Sequence, residues 1–159
     1  MTTVRELYGG AMTMQVPPGM VDISEFRQVP DNQEVFCDTS TDRSLIIEIL
    51  EAVPQPGMQA IEYHFAQLAN ANDAAESEIV ETTETNGMFA LAGRQQAGKF
   101  NQQGTQCVAV LLALQRIPES DADVLITMNV PELADVSAAY AEFQQLASTF
   151  RLVDASIFG

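Results

Sequence analysis

The sequence predicts an α+β domain built on an antiparallel β-sheet. Several strand-like segments follow one another with mostly short connections, and two amphipathic helical segments are well separated along the chain. Strands that come in runs, without regular alternation with helices, are typical of such domains. The chain has 159 residues and shows no repeat, low-complexity stretch or linker, so residues 1–159 are expected to form a single domain.

The N-terminal segment is predicted to be a hairpin followed by an irregular region. Residues 5–16 contain short arms with apolar residues, and Gly9 and Gly10 can supply positive φ angles between them. From 21 to 34 the apolar residues have no regular period, with a short helical turn expected at Asp22. We therefore expect this second segment to be a loop with local structure of its own.

Six further segments are predicted to be strands because they are short and rich in β-branched or apolar residues. The predicted strands are 34–37, 44–52, 77–85, 88–97, 105–117 and 123–130. Residues 105–117 are almost continuously apolar, which indicates a central strand covered on both faces. Cys37 and Cys107 lie in two of these strands without disulfide or metal-site spacing, so both are expected to be reduced core residues.

Two segments have the apolar spacing of amphipathic helices. The first covers about 58–70, where Ile61, Phe65 and Leu68 share one stripe. The second covers about 134–151, where apolar residues recur at spacings of four and three. These residues are Val136, Tyr140, Phe143, Ala147 and Phe150. The second helix in particular is expected to pack on the core.

The chain is strongly acidic, with 22 aspartates and glutamates against seven lysines and arginines and a formal net charge of −15. This balance argues against nucleic acid and anionic membranes as partners, because both require clustered basic residues and the only lysine is Lys99. It favours a basic protein surface or a cation, although acids that only keep the protein soluble give the same composition. No segment resembles a membrane span or a secretory signal, so a cytosolic or nuclear protein is expected.

Residues suited to catalysis are few. His64 is the only histidine, has no ligand partners at suitable spacing and is expected to pack. There is no nucleophile elbow and no glycine-rich phosphate loop. Glu119, Asp121 and Asp123 suggest a weak cation site, but a solvated turn is the favoured interpretation. A binding protein without cofactor or metal is therefore predicted, while a two-carboxylate hydrolase stays open on the number of acids alone.

The irregular region and the residues that follow it have the most informative charge pattern. Six acidic residues fall within about twenty positions, with only Arg27 and Arg43 as counter-charges. The acidic residues are Asp22, Glu25, Asp31, Glu34, Asp38 and Asp42. Many like charges on an irregular exposed backbone favour a recognition surface for Lys and Arg side chains. A merely solvated loop is the alternative.

Six blocks of sequence match one protein family. They are LYGGA (7–11), VPPGMVDISEFRQVPDNQEVF (16–36), SLIIEILE (44–51), YHF (63–65), NVP (129–131) and VDASIF (153–158). Through these blocks the chain resembles the Ran guanine nucleotide release factors, while the middle region 66–104 matches less well. The resemblance implies binding to a Ran-type small GTPase and promotion of nucleotide release, in support of nuclear protein import, in the nucleus and cytoplasm.

The resemblance also implies a fold and a site. The fold is an antiparallel sheet with helices on both faces, similar to that of the photosystem protein PsbP. Asp31 and Glu34 of the VPDNQEV motif would face Ran, and Asp22, Glu25 and Arg27 lie in the same block. A monomer is expected. Three alternatives stay open: an acidic module or trafficking adaptor for another basic partner, a PsbP-like accessory protein, and an enzyme with a pocket that sequence cannot show.

Overall fold

A computed structural model describes residues 3–97, 106–131 and 135–159. These residues contain ten strands and two α-helices. The strands are β1 (Thr3–Leu7), β2 (Met12–Val16), β3 (Val21–Asp22), β4 (Gln33–Asp38), β5 (Arg43–Glu51), β6 (Ala74–Thr85), β7 (Met88–Ala97), β8 (Gln106–Ile117), β9 (Ala122–Pro131) and β10 (Arg151–Leu152). The helices are α1 (Gly57–Ala71) and α2 (Val136–Ala147). Neither helix is long and apolar enough to cross a membrane.

The strands form two antiparallel sheets, which confirms the predicted α+β class. A small sheet has the strand order β1-β2-β10, and a large sheet has the order β3-β4-β5-β9-β8-β7-β6. All neighbouring strands in both sheets are antiparallel. The apolar strand β8 lies inside the large sheet between β9 and β7, as its composition predicted.

Alternate side chains of β8 enter two different cores, because successive residues of a strand point to opposite faces. Leu112 and Leu114 pack on the side of α1, where Phe65 is buried with them. Leu111 and Ala113 belong to the other core, which also contains the buried residues of α2 and of the small sheet. The two helices therefore cover opposite faces of the large sheet, as the resemblance implied.

Gly93 in β7 allows α1 to approach the sheet closely. A Cβ atom at this position would lie 2.5 Å from the ring of Phe65 and 2.7 Å from the carbonyl oxygen of Glu78. These distances leave no room for a larger residue without movement of the helix or the strand. Two residues further along β7, the buried Gln95 side chain donates a hydrogen bond to the Phe65 carbonyl at 3.1 Å.

The observed elements differ from the predicted ones mainly at their ends. Helix α2 ends at Ala147, although Phe150 beyond it is buried as predicted. Strand β6 begins at Ala74, earlier than the predicted position 77. The two-residue strands β3 and β10 were not predicted, because two residues are too few to show a period. Three features of the sequence analysis lie outside the described residues: the predicted start of a strand at 105, the predicted start of a helix at 134, and Lys99.

Cys37 and Cys107 are free thiols, but the prediction that they are core residues is wrong. Both side chains are only half-buried. Cys37 lies on β4 opposite Val21, beside the short strand at the edge of the large sheet. Cys107 lies near the beginning of β8. Side chains at sheet edges and strand ends have fewer neighbours, so an apolar run in the sequence does not guarantee their burial.

Candidate functional site

The connection from β3 to β4 begins with a short, well-anchored 3-10 turn over Ile23–Glu25. The Asp22 carboxylate accepts hydrogen bonds from the Ser24 amide at 2.9 Å and from the Ser24 hydroxyl at 2.7 Å. Such a side-chain cap satisfies backbone groups that the turn would leave unpaired. The side chains of Glu25 and Arg27 are exposed, so this turn directs two of the predicted site residues into solvent.

Asn32 holds the other end of this connection against β5. Its carbonyl oxygen accepts from the Ile49 amide at 2.9 Å, and its side-chain amide donates to the Ile49 carbonyl at 3.0 Å. The Gln33 amide also donates to the Pro30 carbonyl at 3.0 Å, which closes a turn. Asp31 is exposed inside this turn, separated from β4 by Asn32, on a backbone that is fixed on both sides.

Tyr8 ties the N-terminal hairpin to the same region. Its hydroxyl lies 2.8 Å from the Asn32 carbonyl oxygen and 2.7 Å from the Ile47 carbonyl oxygen, and its single proton is shared between these acceptors. The Tyr8 amide donates to the Glu34 carboxylate at 3.3 Å. Tyr8 has a positive φ of 53° at the start of the Gly9-Gly10 turn. The unusual backbone of the hairpin thus orients both a main-chain donor and a side-chain donor towards the β4 segment.

Two glutamates at this end of the large sheet, Glu34 and Glu48, lie in surroundings that raise their pKa values and disfavour the ionised form. Burial raises the pKa of Glu34, the Tyr8 amide partly offsets this, and the negative charge of Asp22 raises it further. Burial also raises the pKa of Glu48, although a hydrogen bond from Gln33 at 3.2 Å lowers it. Burial and the charges of both glutamates hold the pKa of the Tyr8 hydroxyl well above its ordinary value. A positive charge supplied from outside would relieve these effects.

The predicted site residues lie on one connection and its flanking strands, and we call them the acidic surface. They are Asp22, Glu25, Arg27, Asp31 and Glu34. The structure brings Asp22 and Glu34 close enough for their charges to interact, through the pairing of β3 with β4. None of the ion pairs among the described residues includes a member of this surface. Its negative charges are therefore not neutralised within the described part of the chain.

Asp123 corrects the prediction of a solvated turn, because its side chain is completely buried. The Arg116 guanidinium donates to its two oxygens at 2.9 and 3.3 Å, and the Val53 amide donates at 3.3 Å. Arg116 also donates to the carbonyls of Val53 and Gln55. The His64 Nε2 atom is 3.8 Å from the Asp123 carboxylate, which is too long for a hydrogen bond. We call Arg116, Asp123 and His64 the buried cluster.

His64 is buried, as predicted, and this burial favours its neutral form. Burial lowers its pKa, and the nearby Asp123 carboxylate opposes that effect.

The residues that the structure describes contain no group of three or more histidine, cysteine or acidic side chains placed to hold a metal ion. Asp121 lies in the left-handed region with φ of 52° at the end of the 3-10 turn Pro118–Ser120, and its side chain is exposed. Within the buried cluster, hydrogen bonds connect Arg116 of β8 with Asp123 of β9, and His64 of α1 lies beside the Asp123 carboxylate.

Sequence reasoning missed the residues that support the acidic surface. Tyr8 and Asn32 were not singled out, although both lie in the family-matching blocks LYGGA and VPDNQEVF. Their hydrogen bond joins residues 24 positions apart, and the bond from Tyr8 to Ile47 spans 39 positions. Only the presence of both blocks in the resemblance indicated that these residues act together.

A family model described as "Ran-interacting Mog1 protein" matches residues 5–131, which include the whole acidic surface. The chain belongs to the Mog1 family. The Mog1 match also runs through the middle region 66–104, which carries the end of α1, all of β6 and β7, and residues outside the described part. The weaker resemblance of that region therefore does not set it apart from the family.

Several named proteins resemble this chain over nearly its full length. The Ran guanine nucleotide release factor of Danio rerio is 35% identical, covering 98% of this chain and 99% of the relative. The nuclear import protein MOG1 of Saccharomyces cerevisiae is 32% identical, covering 96% and 83%. The crystal structure of the Saccharomyces cerevisiae Ran-binding protein Mog1p has a TM-score of 0.88 at 29% identity, covering 100% and 99%. The Mog1 fold is thus shared along the whole chain.

Proposed function

We propose that this chain binds a Ran-type small GTPase through the acidic surface and promotes release of its guanine nucleotide, in support of nuclear protein import. Membership of the Mog1 family carries the proposal, because relatives along the full length are named for Ran, nucleotide release and nuclear import. In this proposal residues 1–159 act as one monomeric binding domain in the nucleus and cytoplasm. The chain uses no cofactor and catalyses no bond-making step.

The charges of the acidic surface support this assignment. Glu25 and Asp31 are exposed, and Glu34 is half-buried beside Asp22, with no lysine or arginine of the described residues within ion-pair distance. Surplus negative charge on a chain of net charge −15 speeds encounter with a basic surface. Lys and Arg side chains of the GTPase would therefore be steered to this end of the large sheet.

Nucleotide release requires more than tight binding. A binding protein shifts a conformational equilibrium only by the difference between its affinities for the two states. A tenfold preference for a GTPase state that holds nucleotide weakly corresponds to about 1.4 kcal/mol. Truncating one partner of a desolvated charge pair typically costs about 2–5 kcal/mol. One contact is thus sufficient for such a preference, if Asp31 or Glu34 forms it with a basic residue in only one of the two GTPase states.

Release of a fluorescent guanine nucleotide from purified Ran tests the proposal directly. We expect this chain to accelerate release, with a smaller effect at higher salt because exposed charges are screened. Asp31→Lys should weaken binding and abolish most of the acceleration. If the wild-type chain neither binds Ran in calorimetry nor changes the release rate, the proposed function is wrong and a different basic partner becomes the better hypothesis.

Glu84→Lys is the matched control for Asp31→Lys. Glu84 is exposed on β6, at the opposite edge of the large sheet from β3 and β4, and the charge change is the same. A loss of binding from Asp31→Lys that greatly exceeds the loss from Glu84→Lys locates the partner at the acidic surface. Equal losses from both variants would mean that only the net charge of the chain matters.

A further inference from the structure

Phe26 lies on the same connection between β3 and β4 as Glu25, Arg27 and Asp31 of the acidic surface, yet charge does not account for its position. Its side chain is 73% exposed, more than any other large apolar side chain among the described residues. Its neighbours Glu25 and Arg27 are exposed and charged. An aromatic ring that is open to water, between two charged neighbours in the chain, loses the benefit of burial that most aromatic side chains have.

The backbone under Phe26 is ordered by its own hydrogen bonds. The amides of Phe26 and Arg27 both donate to the Ile23 carbonyl, at 2.9 and 3.1 Å. The Asp22 carboxylate caps the same turn through Ser24. The ring is therefore held outward by the capped turn and does not sit on an unstructured loop.

The ring is not part of the folded core. Phe26 belongs to neither of the two hydrophobic clusters that the described residues form on the faces of the large sheet. Removing the ring should therefore leave folding unchanged, because surface substitutions away from the core usually change stability very little. A single exposed apolar residue is ordinary on a protein surface. Phe26, however, is carried by a turn that is fixed by hydrogen bonds and lies between charged residues of the acidic surface in the chain.

We propose that Phe26 is the apolar anchor of the GTPase interface and inserts into an apolar recess of the partner that is bordered by Lys and Arg residues. The inference rests on the proposed function and adds the chemistry of its contact. Protein interfaces commonly concentrate their binding energy in a few aromatic anchors surrounded by polar contacts. In this arrangement Phe26 supplies the anchor, while Glu25, Asp31 and Glu34 pair with the basic border.

The fixed turn makes this role efficient. Ordering a flexible side chain or loop on binding reduces affinity, whereas a segment already held in its bound shape avoids that loss. The Asp22 cap at one end and the Asn32 bonds to Ile49 at the other fix the connection before any partner arrives. Asp22 therefore has a positioning role and need not contact the partner.

Affinity for Ran, measured by calorimetry with the full chain, tests the inference. Phe26→Ala should lower the affinity by about tenfold or more, as expected for an aromatic anchor. Phe26→Leu should recover part of the loss because it restores apolar volume. Val4→Ala is the matched control, since Val4 is 62% exposed on β1, outside the acidic surface, and should bind like the wild type.

Salt dependence separates an apolar contact from a charge contact. The loss caused by Phe26→Ala should be about the same at low and moderate salt, whereas the loss caused by Asp31→Asn should shrink as salt screens the charges. Urea denaturation of each variant should give the wild-type midpoint. Wild-type affinity of a folded Phe26→Ala chain would overturn the anchor and leave the proposed function intact. Absence of wild-type binding would overturn both.

Discussion

Two acidic sites of the large sheet differ in what surrounds their carboxylates. Asp123 is fully buried, and its carboxylate accepts hydrogen bonds from both the Arg116 guanidinium and the Val53 amide. Glu34 is half-buried and accepts one hydrogen bond, from the Tyr8 amide, without a basic partner among the described residues. The first carboxylate is satisfied by its own chain, whereas the second is left to interact with something else.

This difference separates residues that stabilise the fold from residues that are available to bind a partner. A buried charge must be paired and hydrogen-bonded, so Arg116 and Asp123 are expected to matter mainly for folding. Carboxylates without a counter-charge contribute little to folding and are often slightly unfavourable, which is typical of residues retained for interaction. Substitutions at the buried Asp123 site should therefore change the free energy of unfolding, whereas substitutions at the Glu34 site should change the affinity for Ran.

The largest effect is expected from Arg116→Met. The substitution leaves the Asp123 carboxylate buried without a counter-charge, which typically costs about 3–5 kcal/mol of unfolding free energy. Urea denaturation measures the loss, and the folded fraction should still bind Ran with wild-type affinity. The double variant Arg116→Met with Asp123→Leu removes both charges and should recover much of the stability. A single variant as stable as the wild type would show that the pair does not stabilise the fold.

The next largest effect concerns pH. Because burial lowers the pKa of folded His64 below its unfolded value, the unfolded chain binds more protons between these two values. The contribution to stability is complete above about pH 6.5 and is lost as the pH falls through the folded pKa, with a slope of up to about 1.4 kcal/mol per pH unit. Denaturation midpoints at several pH values should show this slope, and His64→Gln should flatten it.

Glu34 of the acidic surface and Glu48 on β5 should make stability respond to pH in the opposite direction. The pKa values of folded Glu34 and Glu48 are raised, so their contribution is present below the unfolded pKa and is lost as the pH rises through the folded pKa. The difference between the curves of wild type and His64→Gln isolates the histidine. A difference curve without pH dependence between about pH 5 and 7 would contradict a neutral buried His64.

Much of the fold followed from apolar spacing, whereas the role of Asp123 did not. The run of β8 predicted a strand covered on both faces, and the spacing of α2 predicted its buried face. Glu119, Asp121 and Asp123 were together interpreted as a solvated turn, although the predicted strand 123–130 already began at Asp123. In the structure β9 begins at Ala122 and places Asp123 directly opposite Arg116 on β8. Only the register of that hairpin, which composition does not indicate, brings the two charges together.

The acidic surface was predicted in part for a similar reason. Its charges are visible in the sequence, and the family resemblance selected Asp31 and Glu34 among them. The support from Tyr8 depends on where the small sheet meets the large one, which no local pattern encodes. Exposure of Phe26 was equally hidden, because an apolar residue in sequence is expected to be buried. Local sequence patterns thus identified the charged residues, whereas the support from Tyr8 and the exposure of Phe26 became visible only in the tertiary structure.

A smaller effect is expected from Tyr8→Phe, which should lower both stability and affinity for Ran. Removal of the hydroxyl takes a donor from the carbonyls of Asn32 and Ile47, at a typical cost of about 1 kcal/mol. Because Asn32 fixes the segment that carries Asp31, affinity for Ran should also fall. Tyr140→Phe is the matched control: it removes a hydrogen bond to Thr83 on β6, so stability should fall and affinity should not. Equal affinities of the two variants would mean that Tyr8 does not position the site.

The smallest effect on stability is expected from Glu34→Gln, although its effect on binding should be large. The amide oxygen can still accept from the Tyr8 amide, while the repulsion by Asp22 and the desolvation of a charge disappear. At neutral pH the unfolding free energy should therefore stay equal or rise by at most about 0.5 kcal/mol. Calorimetry with Ran should show weaker binding. A clear loss of stability would show that the Glu34 charge serves the fold, which would remove the contrast with Asp123.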